Sequence, residues 1–256
     1  AGSAGVLAFA VIAWLAMVTI FDVVAFAVLT ARGRRRPTIA AWWWLAFLLL
    51  LGPIAVGRLE AVSVAIVIVA VVWIAARPSV AAVLLTVATW IKVWPGALLI
   101  ALVIAAKARW RILMAAVLCS AVIVGLVFLL GNGPTVLSFI TQQSDRGLQV
   151  EAPVSTPWLW LAFAGQRHAH VYYDRGMLTY QVTGDGSAAV SALMTPLLAL
   201  VVLALVLLAV LEVRRGVPAV ELFPMLALAL VTSFIAFNKV GSPQYMAWLA
   251  VPIILG

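Results

Sequence analysis

The sequence predicts an all-α fold, a polytopic transmembrane helical bundle with short or re-entrant helices and one extracytoplasmic loop region. Three observations carry this. Hydrophobic residues make up 66% of the chain and charged residues 9%, and the mean hydropathy is +1.22; a soluble domain carries about 25% charged residues. The apolar runs are long, as helical spans require, and lack the short alternating segments of a transmembrane barrel. The basic residues cluster between the runs, as they do when they set membrane orientation. The net charge of +8 and the pI near 10.6 therefore read as topology and exclude a nucleic-acid-binding role. Cys119 is the one cysteine, so neither an internal disulfide nor a cysteine metal cluster is expected. Residues 1–256 read as one integral-membrane domain, with 131–187 as the extracytoplasmic loop region within it.

Each run takes its place in order. Val6–Thr30 is a full span holding one acid, Asp22. Asp22 is expected to cap or pair with a neighbouring helix. Arg32-Gly33-Arg34-Arg35-Arg36-Pro37 is the densest basic cluster and is placed in the cytoplasm. Trp42-Trp43-Trp44 read as interfacial anchors. Leu45–Val56, lengthened by Ile39–Trp44, runs outward to Gly57-Arg58-Leu59-Glu60. Ala61–Ala76 returns to Arg77.

The next run, Pro78–Ala106, contains Trp90-Ile91-Lys92-Val93-Trp94-Pro95. A lysine at the centre of a membrane helix costs about 2.5–3.5 kcal/mol. Pro95 removes a backbone donor and disfavours helix at Trp94. The run is therefore expected to break into a hairpin or bent helix, Ser79–Lys92 and Gly96–Ala106, with Lys92 at its apex near a membrane surface. That hairpin also keeps Lys107, Arg109 and Arg111 inside together with Arg214-Arg215, which one straight span does not. Ile112–Leu130 then goes out. Gly131–Ser187 is punctuated by Pro134, Pro153, Pro157 and the Gly184-Asp185-Gly186 turn. Within it, Pro157–Gly165 reads as a short helix lying on the interface. Ala188–Leu211 returns, Val217–Phe237 goes out to Asn238-Lys239, and Tyr245–Leu255 starts back.

This topology gathers polar residues on the extracytoplasmic side: Arg58, Glu60, Lys92, Asp145, Arg146, Gln149, Glu151, His168, His170, Asp174, Arg175, Asn238, Lys239, Gln244 and Tyr245. Cations there run against the positive-inside trend. Arginine and lysine at a membrane boundary suit a lipid-linked phosphate, with the lipid chain between helices and the phosphate at the interface.

Four motifs in order carry a resemblance: Gly57-Arg58-Leu59-Glu60, Ile91-Lys92-Val93-Trp94-Pro95, Arg146-Gly147-Leu148-Gln149-Val150-Glu151, and Asn238-Lys239-Val240-Gly241-Ser242-Pro243-Gln244-Tyr245. The chain resembles membrane glycosyltransferases of family 87, which have the GT-C fold and are related to polyprenyl-phosphate-mannose-dependent α-mannosyltransferases. The resemblance covers nearly the whole chain. It implies transfer of a sugar, mannose first and arabinose second, from a polyprenyl phosphate to an extracytoplasmic glycolipid or polysaccharide of the cell envelope. It implies a multi-pass cell-membrane protein whose active site faces the extracytoplasmic side. The catalytic acid of GT-C enzymes lies in the first extracytoplasmic loop, which this reading places upstream of residue 1, the chain being read as a piece of a longer protein. Glu60 often appears as Asp in such enzymes and is not equated with that base.

Within this frame Arg58, Lys92, Arg146 and Lys239 are candidates for the donor phosphate. Glu60, Gln149, Glu151, Gln244 and Tyr245 are candidates for sugar or acceptor, and Gly147 lets backbone approach a ligand. All four cations are expected around one shared hollow. Plainer readings stand beside these: Lys92 snorkelling to the interface, Arg58 and Glu60 as a loop ion pair, Arg146 in a loop salt bridge, and Lys239 with Tyr245 as an interfacial anchor. His168, His170 and Asp174 lack a third clustered ligand, so no metal site is expected, and no cofactor either. Trp90 and Trp94 pack against sugar or prenyl chain in the sharper reading. The rival function is a transporter or lipid-carrier flippase, whose broken helices meet at mid-membrane depth.

Overall fold

The computed structural model describes residues 2–31, 35–133, 136, 146–166 and 168–255. Arg32, Gly33 and Arg34 of the basic cluster lie outside the described residues, as do Pro134, Asp145 and the side chains of Arg35 and Arg36. The helices are α1 (Gly2–Thr30), α2 (Arg35–Leu51), α3 (Pro53–Val56), α4 (Leu59–Trp73), α5 (Pro78–Ile91), α6 (Pro95–Ala105), α7 (Arg109–Leu129), α8 (Thr156–Phe163), α9 (Ser187–Arg214), α10 (Ala219–Ala236) and α11 (Met246–Leu255). Four of them, α1, α7, α9 and α10, are long and apolar enough to cross a membrane.

Proline marks where several helices begin. Pro53, Pro78 and Pro95 sit at the start of α3, α5 and α6. Their missing N–H has no intrahelical partner at that position, and their φ is already helical. Before Pro95 the chain does break. Lys92 is extended (φ −152°, ψ 137°), and its N–H still closes α5 on the Ala88 carbonyl at 2.9 Å. α5 and α6 pack on each other as the expected hairpin.

The core lies between α2, α4, α5, α6, α10 and α11. Fully buried alanines, among them Ala81, Ala82, Ala97, Ala101, Ala227 and Ala250, let these helices approach closely. Trp44 is 1% exposed and belongs to this core, so only Trp42 of the tryptophan triplet is open as an interfacial anchor would be. Trp94, also 1% exposed, stacks on Trp248 with ring centroids 5.6 Å apart and donates its Nε1–H to Ser63 Oγ at 3.1 Å. It is therefore core, not a surface for sugar or prenyl chain. Trp90 Nε1–H donates to Ser120 Oγ at 3.0 Å across to α7. Trp94→Phe is expected to lower stability by about 2 kcal/mol, since Ser63 loses a buried donor; a thermal melt in detergent measures it.

Helix lengths create a recess. α4 and α5 have 15 and 14 residues, about 22 and 21 Å at about 1.5 Å per residue, short of the roughly 30 Å hydrocarbon layer. α1 has 29 residues and α7 has 21. Trp14 of α1 reaches α3 by donating to the Val56 carbonyl at 2.8 Å, about 18 Å from the start of α1. Ser120, the partner of Trp90, lies about 14 Å before the end of α7. Both long helices thus rise past the Arg58 and Lys92 ends of the short ones. The Lys92 end of α5 is accordingly set back from the ends of α1 and α7. Val11, Ile12, Val122, Leu126 and Phe128 on the rising parts are exposed, as lipid-facing side chains are.

The loop region is not purely helical. β1 (Leu148–Gln149), β2 (His170–Asp174) and β3 (Thr179–Thr183) form an antiparallel sheet in the order β1-β3-β2, pairing Leu148 with Val182 and Tyr172 with Gln181. The fold is mostly helical, as expected, and this small sheet is an addition within the loop region 131–187. The segment is too polar for a span, and residues such as Val171, Tyr172, Tyr173, Tyr180 and Val182 favour strand. α8 falls where an interfacial helix was expected, and Trp160, Leu161 and Phe163 on it are exposed.

Candidate functional site

Two hollows hold several of the polar residues singled out by sequence. The first has a volume of about 340 Å³ and is lined by Trp14, Gly57, Arg58, Leu59, Glu60, Lys92 and Gln244. Three breaks between apolar helices build it: α3 to α4, α5 to α6, and the turn before α11. Arg58 caps α4 in an extended conformation and is exposed, and Glu60 lies in the first turn of α4. An acid there meets the positive end of the helix dipole.

Glu60 is 2% exposed. Lys92 Nζ lies 2.9 Å from its Oε1, and the Lys92 side chain keeps 34% of its surface open. Oε1 lacks an aligned hydrogen bond in spite of that distance, so charge attraction holds the pair more than a directed bond does. The lysine thus has one side toward a buried counter-ion and one toward the hollow. That resolves its cost in the apolar run without full snorkelling. A tier of aromatic rings lies next to the hollow. Trp94 stacks on Trp248, and Trp248 stacks on Tyr245 with centroids 4.0 Å apart.

The second hollow, about 320 Å³, is lined by residues that include Arg146, Gly147, Tyr172, Ser187, Ser191 and Lys239. The link from α10 to α11 is tied to the sheet here. The Gln149 N–H donates to the Lys239 carbonyl at 3.1 Å, and the Val240 N–H donates to Asn238 Oδ1 at 3.0 Å. Gly241 lies against the backbone of Glu151 and Ala152 so closely that a Cβ would overlap it. Lys239 is 8% exposed.

The four cations therefore do not share one hollow: Arg58 and Lys92 line the first, Arg146 and Lys239 the second. The hollows are neighbours. Lys239 and Gln244 are five residues apart, at most about 18 Å along the chain, and Tyr245 lies within charge range of both Glu60 and Arg146.

Other candidates divide. Gln244 lines the first hollow, and its Oε1 accepts from Ser242 Oγ. Tyr245 is buried under Trp248 and lines neither hollow; Gln149 is buried and approaches Thr179 Oγ1 at 3.5 Å, holding the sheet. Glu151 is exposed beside Gly241 and lines neither hollow. Gly147 lines the second hollow and also lies close to Gln181 Oε1 of β3. Asp174 holds the β2–β3 turn, with Oδ1 accepting from the Gly176 and Met177 amides and Oδ2 from Gln181 Nε2. His168 and His170 are exposed, and no group of potential metal ligands occurs among the described residues. Asp22 Oδ1 is buried without a hydrogen-bond partner among the described residues, so the expected helix-to-helix pairing is not seen. Sequence reasoning missed Trp14 in the first hollow. A tryptophan in the middle of an apolar span was the available signal. No family model matches the chain, and no curated protein and no solved structure matches it either.

Proposed function

We propose that this chain belongs to a membrane glycosyltransferase, with the first hollow receiving the phosphate of a polyprenyl-phosphate sugar. The observation that carries the reading is the Arg58 and Lys92 pair beside the buried Glu60, on the floor of a recess between long apolar helices. A prenyl chain would lie along the exposed apolar faces of α1 and α7. The phosphate would then meet Arg58 and the open side of Lys92 where water is scarce and charge attraction is strong. In the transfer, an acceptor hydroxyl oxygen bonds to the anomeric carbon as the bond from that carbon to the phosphate oxygen breaks. The electron pair leaves with the polyprenyl phosphate, and the two cations stabilise it. The hydroxyl proton goes to a carboxylate. Glu60 is not assigned that task, because Lys92 already engages its charge. The sugar is mannose in the first place and arabinose in the second, and the acceptor is an extracytoplasmic envelope glycolipid or polysaccharide. The direct test is transfer from polyprenyl-phosphate-mannose by the full-length protein. Arg58→Ala is expected to reduce it at least tenfold, and unchanged transfer in both Arg58→Ala and Lys92→Ala would count against the assignment.

One observation favours a lipid-carrier flippase as second reading: the Lys92 end of α5 is set back from the ends of α1 and α7. Such a protein opens its site to both sides in turn. Trp94, Trp248 and Tyr245 stack on one another and belong to the buried core, and this supports the first reading over a site that opens to both sides. Transbilayer movement of a fluorescent polyprenyl phosphate in proteoliposomes, without sugar transfer, would select this alternative.

A further inference from the structure

The second hollow has a different character from the first. Two cations, Arg146 and Lys239, line it, and no carboxylate does among the described residues. Arg146 Nε is buried and has no hydrogen-bond partner among the described residues. A buried donor left over in this way costs free energy unless something outside the chain accepts from it.

One wall is the first two turns of α9, through Ser187, Ala188, Ser191 and Ala192. α9 has 28 residues and no acid in its first turn, so its amide end adds partial positive charge. Ser187 Oγ accepts from the Gly184 amide at 3.1 Å, which leaves its own proton to donate. Tyr172 donates its O–H to Gln181 Oε1 at 3.1 Å, so its oxygen can accept from a ligand hydroxyl. The wall is also the end of a helix long and apolar enough to cross a membrane. The hollow therefore lies where a lipid headgroup would lie.

We infer that the second hollow is a separate binding site for a phosphorylated polyol, its phosphate held by Arg146, Lys239 and the α9 amide end, its hydroxyls by Ser187 and Tyr172. Under the proposed function this would be the headgroup of the acceptor, held beside the donor phosphate. The binding claim rests on that reading only for this last role. About 320 Å³ accommodates a phosphate with a small polyol, at the low end of ordinary ligand pockets. The same chemistry occurs on a lipid or free in solution.

Binding is measured on the full-length protein with two probes, glycerol 3-phosphate in solution and phosphatidylglycerol in phosphatidylcholine nanodiscs. Arg146→Gln is expected to weaken at least one probe tenfold or more, while Arg58→Ala, at an exposed residue of the first hollow, changes it less than twofold. A thermal melt equal to wild type shows that Arg146→Gln is folded. Preference for phosphatidylglycerol identifies a lipid headgroup, and equal affinity for both probes identifies a free phosphate; either supports the site. Binding unaffected by Arg146→Gln, no binding of either probe, or loss with Arg58→Ala alone overturns it. Binding of polyprenyl phosphate, assayed separately, reports on the first hollow. Failure there with Arg146-dependent binding intact would sink the proposed donor site and leave this one standing.

Discussion

Lys92→Met is expected to lower sugar transfer by about 100-fold, equivalent to about 2.7 kcal/mol of lost transition-state stabilisation. It is also expected to destabilise the protein by about 3 kcal/mol, because it strands the carboxylate of Glu60. The two sides of this pair are unequal. Glu60 is 2% exposed, whereas the Lys92 side chain is 34% exposed. Glu60→Gln leaves a lysine that can turn toward the hollow and water, at a cost of about 1 kcal/mol. Melting should therefore rank wild type above Glu60→Gln and Glu60→Gln above Lys92→Met. The double variant should recover most of the stability lost in Lys92→Met and none of the transfer. Thermal melts in detergent paired with transfer from polyprenyl-phosphate-mannose decide both points. Equal melting of the two single variants would mean that Glu60 is not the side held out of water.

Gly241→Ala should have the second large effect, a loss of roughly 3 kcal/mol. The methyl would enter the backbone of Glu151 and Ala152, and backbone cannot move aside as a flexible side chain can. The bond from the Gln149 N–H to the Lys239 carbonyl depends on that approach. Its loss should disturb the second hollow directly and the first through Gln244. A control is Gly125→Ala on α7, where nothing lies within 4 Å of the added carbon and alanine suits a helix better than glycine. A melt of Gly241→Ala within experimental error of Gly125→Ala would refute the close-packing account.

Several elements were legible beforehand because their signals are local. The break at Lys92 to Pro95 follows from a charge and a proline inside an apolar run. The short helix near Pro157 and the turn at Gly184-Asp185-Gly186 follow from the same kind of punctuation. The sheet was less legible. β1 has only two residues, too few for an alternation to declare itself. The interfacial role given to Trp44 failed because a tryptophan inside an apolar helix looks alike in sequence whether it faces lipid or another helix.

Composition alone determined that the chain is apolar enough for a membrane, and Pro53, Pro78 and Pro95 marked helix starts, whereas Pro196, Pro224 and Pro252 lie inside helices. Both are properties of a residue and its near neighbours. Tertiary structure alone decided that Lys92 meets Glu60, that Arg58 and Lys92 part from Arg146 and Lys239, and that Trp94 is core. The physical reason is the uniformity of the helix surfaces. Where every face is apolar, periodicity does not say which face meets which, and only the packing of small residues and the lengths of the helices choose the partners.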